Sequence, residues 1–232
     1  MSFYSYLAFF VWFFILVVLS FLNSWVWAKV LPGLKFRYFI APGVMVHELS
    51  HAVMCLFMLA PVRKISFFSR QGGYVEHGRS RFGFLGNTLI SIAPIFGISL
   101  GLWLIIYLFN FSLDINSIDF GLGFSDNLWV LFKSAWQLIK TNWSSWPFWI
   151  FIYLVISLTS SLAPSKKDFQ NAFWGLVFIS ILAYLVFYLG LGSHYLVDLI
   201  GQYLGYVISL GVFWGLISLI IGLPVYLIKK VL

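Results

Sequence analysis

The chain has 232 residues, of which 62% are hydrophobic and only 9% charged, and its mean hydropathy is +0.97. Soluble domains carry roughly 45–50% apolar and about 25% charged residues, so this composition excludes an ordinary soluble domain and points to a polytopic membrane protein. The net charge of +7 reads as Lys and Arg at membrane surfaces rather than as a nucleic-acid patch, since no basic groove interleaved with aromatic residues is visible.

In chain order, apolar runs at 3–30, 39–60, 84–111, 146–162, 169–191 and 203–228 predict about six transmembrane helices. The first run lacks a basic leader and a small-residue cleavage site, so it is expected to be retained. The last carries Gly201, Gly205, Gly211 and Gly215, which suit close helix approach. Trp25, Trp27, Trp143 and Trp146 fall near predicted ends, where aromatic belts sit. No repeat or appended soluble region is evident. The expected fold is therefore a membrane all-α bundle with a membrane-associated β-hairpin, a single domain over 1–232 with its catalytic core at about 38–191.

Two connections carry further signals. Residues 62–81 alternate and contain Gly72-Gly73, which predicts a hairpin against or dipping into the membrane. Such backbone is tolerated at membrane depth only when buried in protein or facing a wet cavity. Within 112–145, the stretch 128–139 mixes apolar positions with Lys133 and Gln137, followed by Lys140, and reads either as an interfacial amphipathic helix or as an ordinary surface helix. With the amino terminus inside, nine Lys and Arg fall on the inner side and five on the outer, which favours both termini inside.

The chain holds only four histidines and two glutamates, yet His47, Glu48 and His51 fall together within the second apolar run. Histidines four residues apart share one helical face about 6 Å apart along the axis, so both imidazoles can reach one zinc ion. Glu48 sits beside them, where a carboxylate can take a proton from water at the metal. A polar helix–helix contact would need one such residue, not three, and ionisable groups within lipid mark functional sites by default. In the assumed orientation the zinc would lie roughly 14 Å beneath the inner surface.

A catalytic zinc takes three protein ligands and keeps one position open, so a third ligand is needed. The candidates are Asp168, Glu76, His77, His194, Asp198 and Cys55. Asp168 follows Pro164, where a helix breaks and restarts; its carboxylate could project into the bundle or merely cap the new helix. Glu76 and His77 follow the hairpin glycines and could be plain strand residues. His194 and Asp198 lie four apart and could simply bond each other. Cys55 shares the His51 face but suits a small buried hydrophobe. Asn87 could hold substrate backbone or serve as an interhelical bond.

The segment Pro42-Gly43-Val44-Met45-Val46-His47-Glu48-Leu49-Ser50-His51-Ala52, the glycine-bearing hairpin, Asn87 with Ala93-Pro94-Ile95-Phe96-Gly97, and Pro164 followed by Asp168 together resemble the site-2 protease family of intramembrane zinc metalloproteases. The resemblance covers about residues 41–171, and its specific part is the histidine motif. The family writes its aspartate segment as Asn-x-x-Pro with an Asp-Gly pair five residues after the proline. Here Ser161 stands near the asparagine position, Asp168 is four residues after Pro164, and Phe169 replaces the glycine. The resemblance implies Asp168 as third ligand to zinc, with His47 and His51, and Glu48 as the catalytic base. It implies an endopeptidase acting on membrane-spanning or membrane-anchored proteins, embedded in the lipid bilayer and without a nucleic-acid partner. The alternative is an inactive membrane scaffold that binds helices or metal without proteolysis.

Overall fold

The structure, a computed structural model, describes residues 3–31, 33–69, 72–111, 124–163, 165–188 and 194–231, with backbone alone over 3–10, 194–209 and parts of α5 and α7. The chain is mostly helical. Its elements are α1 (Phe3–Val30), α2 (Leu34–Phe39), α3 (Ala41–Phe57), β1 (Val62–Ser66), β2 (Tyr74–His77), α4 (Gly83–Leu108), α5 (Phe124–Asn142), α6 (Trp146–Ser160), α7 (Lys166–Tyr188) and α8 (His194–Val231). Among the described residues three helical stretches are long and apolar enough to cross a membrane: Val11–Val30, Gly83–Leu108 and Leu210–Val231. The motif helix α3 and α6 are shorter, at 17 and 15 residues.

Residues 62–81 do form a hairpin: β1 and β2 pair antiparallel, with Lys64 opposite Glu76 and Ser66 opposite Tyr74. Gly72 has φ +110°, a conformation that only glycine adopts without strain. The predicted helix at 128–139 lies within α5, and its outward stripe is aromatic: Trp129, Phe132 and Trp136 are exposed. Lys133 and Lys140 lie over the Trp129 and Trp136 rings, each at 5.3 Å. Residues 112–123 of that connection lie outside the described residues.

Small residues set how α3 meets its neighbours. Against α6 the contacts keep one offset: Phe39 meets Tyr153, Gly43 meets Ser157 and His47 meets Ser161, the last two pairs both 114 residues apart. The two helices therefore run parallel. A Cβ on Gly43 would come within 2.2 Å of the Ser157 carbonyl oxygen, so only glycine fits there. The Gly43 N–H, one of the first-turn donors that a helix leaves unpaired, donates to Ser157 Oγ at 3.0 Å. Against α4 the course is antiparallel, with Val46 beside Gly101 and Ser50 Oγ beside Gly97.

The long α8 packs along α1. Leu16 contacts Gly211, Asn23 and Leu19 contact Gly215, and Val26 and Trp27 contact Gly222. At the far end Lys229 Nζ donates to the carbonyls of Lys29 and Val30, at 3.0 and 2.9 Å, capping the last turn of α1. These contacts climb both helices together, so α1 and α8 are parallel. Six alternating crossings would set the first and last antiparallel, with both termini on one face. Instead, the amino-terminal end of α1 and the carboxyl-terminal end of α8 lie at opposite ends of the bundle. Moving Lys229 and Lys230 to the other face turns nine against five into seven against seven, which leaves no charge bias to orient the chain. Of the glycines expected to serve this helix, Gly211 and Gly215 do so; the surroundings of Gly201 and Gly205 lie outside the described residues.

Candidate metal centre

Helix α3 presents His47, Glu48 and His51 within the protein, at 8%, 7% and 7% exposure. The imidazole centroids are 4.9 Å apart. Each ring is fixed by its Nδ1. His47 Nδ1 donates to the Ser161 carbonyl at 2.6 Å, and His51 Nδ1 donates to the Ile90 carbonyl at 2.7 Å. A carbonyl oxygen only accepts, so the proton of each neutral ring sits on Nδ1, and each Nε2 keeps its lone pair. Metal-ligating histidines are commonly held in this way, because the bond orients the ring and raises its basicity.

Both carbonyls are free for a structural reason. Ser161 follows the last residue of α6, where the final carbonyls have no intrahelical donor. Ile90 lies within α4, and the residue whose N–H would meet its carbonyl is Pro94, which has none.

The α6–α7 junction supplies Asp168. Its Oδ2 lies 3.6 Å from His51 Nε2, and donor atoms of His47, His51 and Asp168 all lie within 4.8 Å of one another. The same carboxylate completes a capping box at the start of α7. Ser165 N–H donates to Oδ2 at 3.2 Å, Ser165 Oγ–H donates to it as well, and Asp168 N–H donates to Ser165 Oγ at 3.1 Å. The two uses weighed for Asp168, helix cap and inward-facing carboxylate, thus occur in one side chain. The helix break at 161–165 is present; Pro164 itself lies outside the described residues.

Three acceptors converge here, two imidazole lone pairs and a carboxylate. Facing acceptors repel unless a cation or a proton lies between them. Two donors about 2.0–2.2 Å from a tetrahedral ion are roughly 3.4 Å apart, so the 3.6 Å gap fits such an ion, and the wider spacing within the group needs only a modest contraction. The residues present lie close enough together to hold a metal ion.

Glu48 adjoins this group and is buried, yet no hydrogen bond or ion pair reaches its carboxylate among the described residues. The hairpin covers it: a Cβ on Gly73 would lie 2.9 Å from Glu48 Oε1 and 2.6 Å from Val44 Cγ1. Glycine at this position lets the hairpin backbone approach the carboxylate.

The other candidates fall elsewhere. Glu76 is exposed on β2, and His77 Nδ1 bonds the Gly78 carbonyl at 2.8 Å. Cys55 is fully buried in an apolar cluster with Ala60 and Ile90. Asn87 Oδ1 accepts the Ser80 N–H at 3.3 Å, a local bond ahead of α4. His194 and Asp198 lie in α8, with side chains outside the described residues. Sequence reasoning named Ser161 and Pro94 only within the family resemblance and missed their part in orienting the histidines, and it missed Ile90 and Ser165 altogether. Pro94 carried the one visible signal, a proline inside an apolar helix. No protein-family model, curated protein or solved structure matches the chain.

Proposed function

We propose that the protein is an intramembrane zinc metalloendopeptidase, similar to site-2 proteases, that hydrolyses peptide bonds of membrane-spanning or membrane-anchored proteins. One observation carries this reading: three converging acceptors, His47, His51 and Asp168, beside a buried glutamate that has no hydrogen-bond partner among the described residues. A carboxylate buried inside a membrane domain is costly, and such groups are retained for function.

Zinc held by His47, His51 and Asp168 would supply Lewis acidity toward a scissile carbonyl and toward water. The residues of the chain do the rest. Glu48 accepts a proton from the attacking water and returns it to the leaving amine. The Ser161 and Ile90 carbonyls keep both imidazoles in the tautomer with Nε2 free. The hairpin beside Glu48 supports substrate binding by strand addition, which would hold an unwound segment where its peptide bonds are exposed. The crossing order that agrees with the parallel α1–α8 pair is α1, α3, α4, α6 and α8 in alternation, with α7 bringing Asp168 to the site.

The test is purified protein assayed for zinc content and for cleavage of a transmembrane peptide in detergent or bilayer. Glu48→Gln is expected to keep zinc near the parent's level and to reduce turnover by about 10²–10⁴-fold, since an amide accepts no proton. Turnover close to the parent's would sink the mechanism. Zinc-free parent protein would sink the metal assignment.

A further inference from the structure

The in-helix proline at 94 lies in α4, which packs against the motif helix α3. Its effect is on a carbonyl one turn earlier. In an unbroken helix the Ile90 carbonyl would accept the N–H of residue 94. Proline has no N–H there, and its ring clashes with the carbonyl four residues back, which turns that carbonyl off the helix axis. The carbonyl so released is the one that accepts His51 Nδ1–H at 2.7 Å. Pro94 is buried, and the close approach of α4 to α3 at Gly97 and Ser50 brings the freed oxygen within reach of the ring.

We propose that Pro94 is a positioning residue for the metal centre: by withholding a backbone donor it reserves the Ile90 carbonyl for His51 and so fixes the tautomer and orientation of that ligand. This rests on the metal reading of the site. The two histidines are then held by one device made in two ways. His47 uses a carbonyl left over at the end of α6, and His51 uses a carbonyl left over inside α4 because of a proline. An ordinary residue at 94 would return its N–H to the Ile90 oxygen. That oxygen has two lone pairs, so the His51 bond would be weakened and redirected rather than erased.

The signature is unusual because the two readouts move in opposite directions. Replacing a proline inside a helix normally strengthens the fold, whereas losing the orienting partner of a metal-bound histidine typically costs 10–100-fold in metal affinity. The full-length protein is titrated with zinc against a chelator of known affinity, and thermal unfolding of the zinc-free form is followed in parallel. Pro94→Ala is expected to weaken zinc binding by about tenfold, the low end of the range for a lost orienting partner, while the zinc-free protein unfolds at the same or a higher temperature. Pro94→Val, which restores most of the ring volume along with the N–H, is expected to weaken zinc binding equally, separating donor from cavity. Pro224→Ala, the matching change inside α8, is expected to leave zinc affinity within twofold. Parent-like affinity in both Pro94 variants, with the parent binding zinc, would overturn this role and leave the metal site standing. A parent that binds no zinc would overturn both.

Discussion

The α1–α8 pair and the α3-centred site both bury polar groups between helices, but they arrange them in opposite ways. Along α1 and α8, donors are aimed at acceptors. Asn23 Nδ2 donates to the Gly215 carbonyl at 2.8 Å, Trp27 Nε1 to Ser218 Oγ at 3.0 Å, and Lys229 to the end of α1. Around α3, the donors of His47 and His51 are spent on backbone carbonyls at the rim, and what faces inward is acceptors alone. The first pattern pairs most of its groups within the protein, though Asn23 Oδ1 and Trp214 Nε1 have no partner among the described residues. The second has room for a cation or a proton between its acceptors, and that is where it differs from the α1–α8 packing.

The largest effect expected from breaking this contrast is at His51. His51→Ala removes one of the three proposed ligands and leaves the Ile90 carbonyl without its donor, so bound zinc and the proposed peptidase activity should disappear together. Metal analysis of the purified variant is the check. Full zinc occupancy would mean that the metal sits elsewhere.

The local parts of this architecture were legible in the sequence, and the parts that depend on how helices meet were not. Residues 47–51 announced a shared helical face because the four-residue period is a property of one helix. The hairpin could be read from Gly72 and Gly73 for the same reason. The partners of the histidines could not, because Ser161 and Ile90 act through main-chain oxygens that every residue type possesses. Only the packing of α3 on α4 and α6 selects them. The direction of α8 relative to α1 was also hidden. Counting Lys and Arg assigned Lys229 to a face by assuming six alternating crossings, whereas Lys229 in fact caps Lys29 and Val30. Asp168 was legible as two alternatives because each alternative needs only local sequence, and the structure realises both in one carboxylate.

That double use sets the next prediction, smaller than the loss of a histidine. Asp168→Ala should lower zinc affinity strongly and also destabilise the zinc-free protein by about 1 kcal/mol, through loss of the bonds that the Ser165 N–H and Oγ–H donate to its carboxylate. Asp168→Asn separates the two effects. Its amide oxygen can still accept from Ser165 at the start of α7, but it carries no charge toward the metal. Zinc titration and thermal unfolding, run side by side, should show weakened zinc binding in both variants and a stability loss in the alanine variant alone. If Asp168→Asn bound zinc as the parent does, the carboxylate would be a cap and not a ligand.

The smallest expected effect lies on the other side of the comparison. Asn23 is fully buried in α1, and its Nδ2 bridges the Leu19 carbonyl of its own helix and the Gly215 carbonyl of α8. The Leu19 carbonyl lies inside α1 and has the backbone donor of residue 23 as well, so only the bond to α8 is irreplaceable. Interhelical hydrogen bonds in membrane proteins contribute about 0.6 kcal/mol on average and rarely more than about 1.7, because the separated helices find other partners. Asn23→Ala should therefore weaken the fold by about 1 kcal/mol, read as a lowered unfolding midpoint in mixed micelles. Zinc affinity and turnover should remain within twofold of the parent, since no described contact joins Asn23 to His47, Glu48, His51 or Asp168. A loss of zinc binding in this variant would show that the α1–α8 pair is coupled to the metal centre, and the two regions could no longer be treated as separate designs.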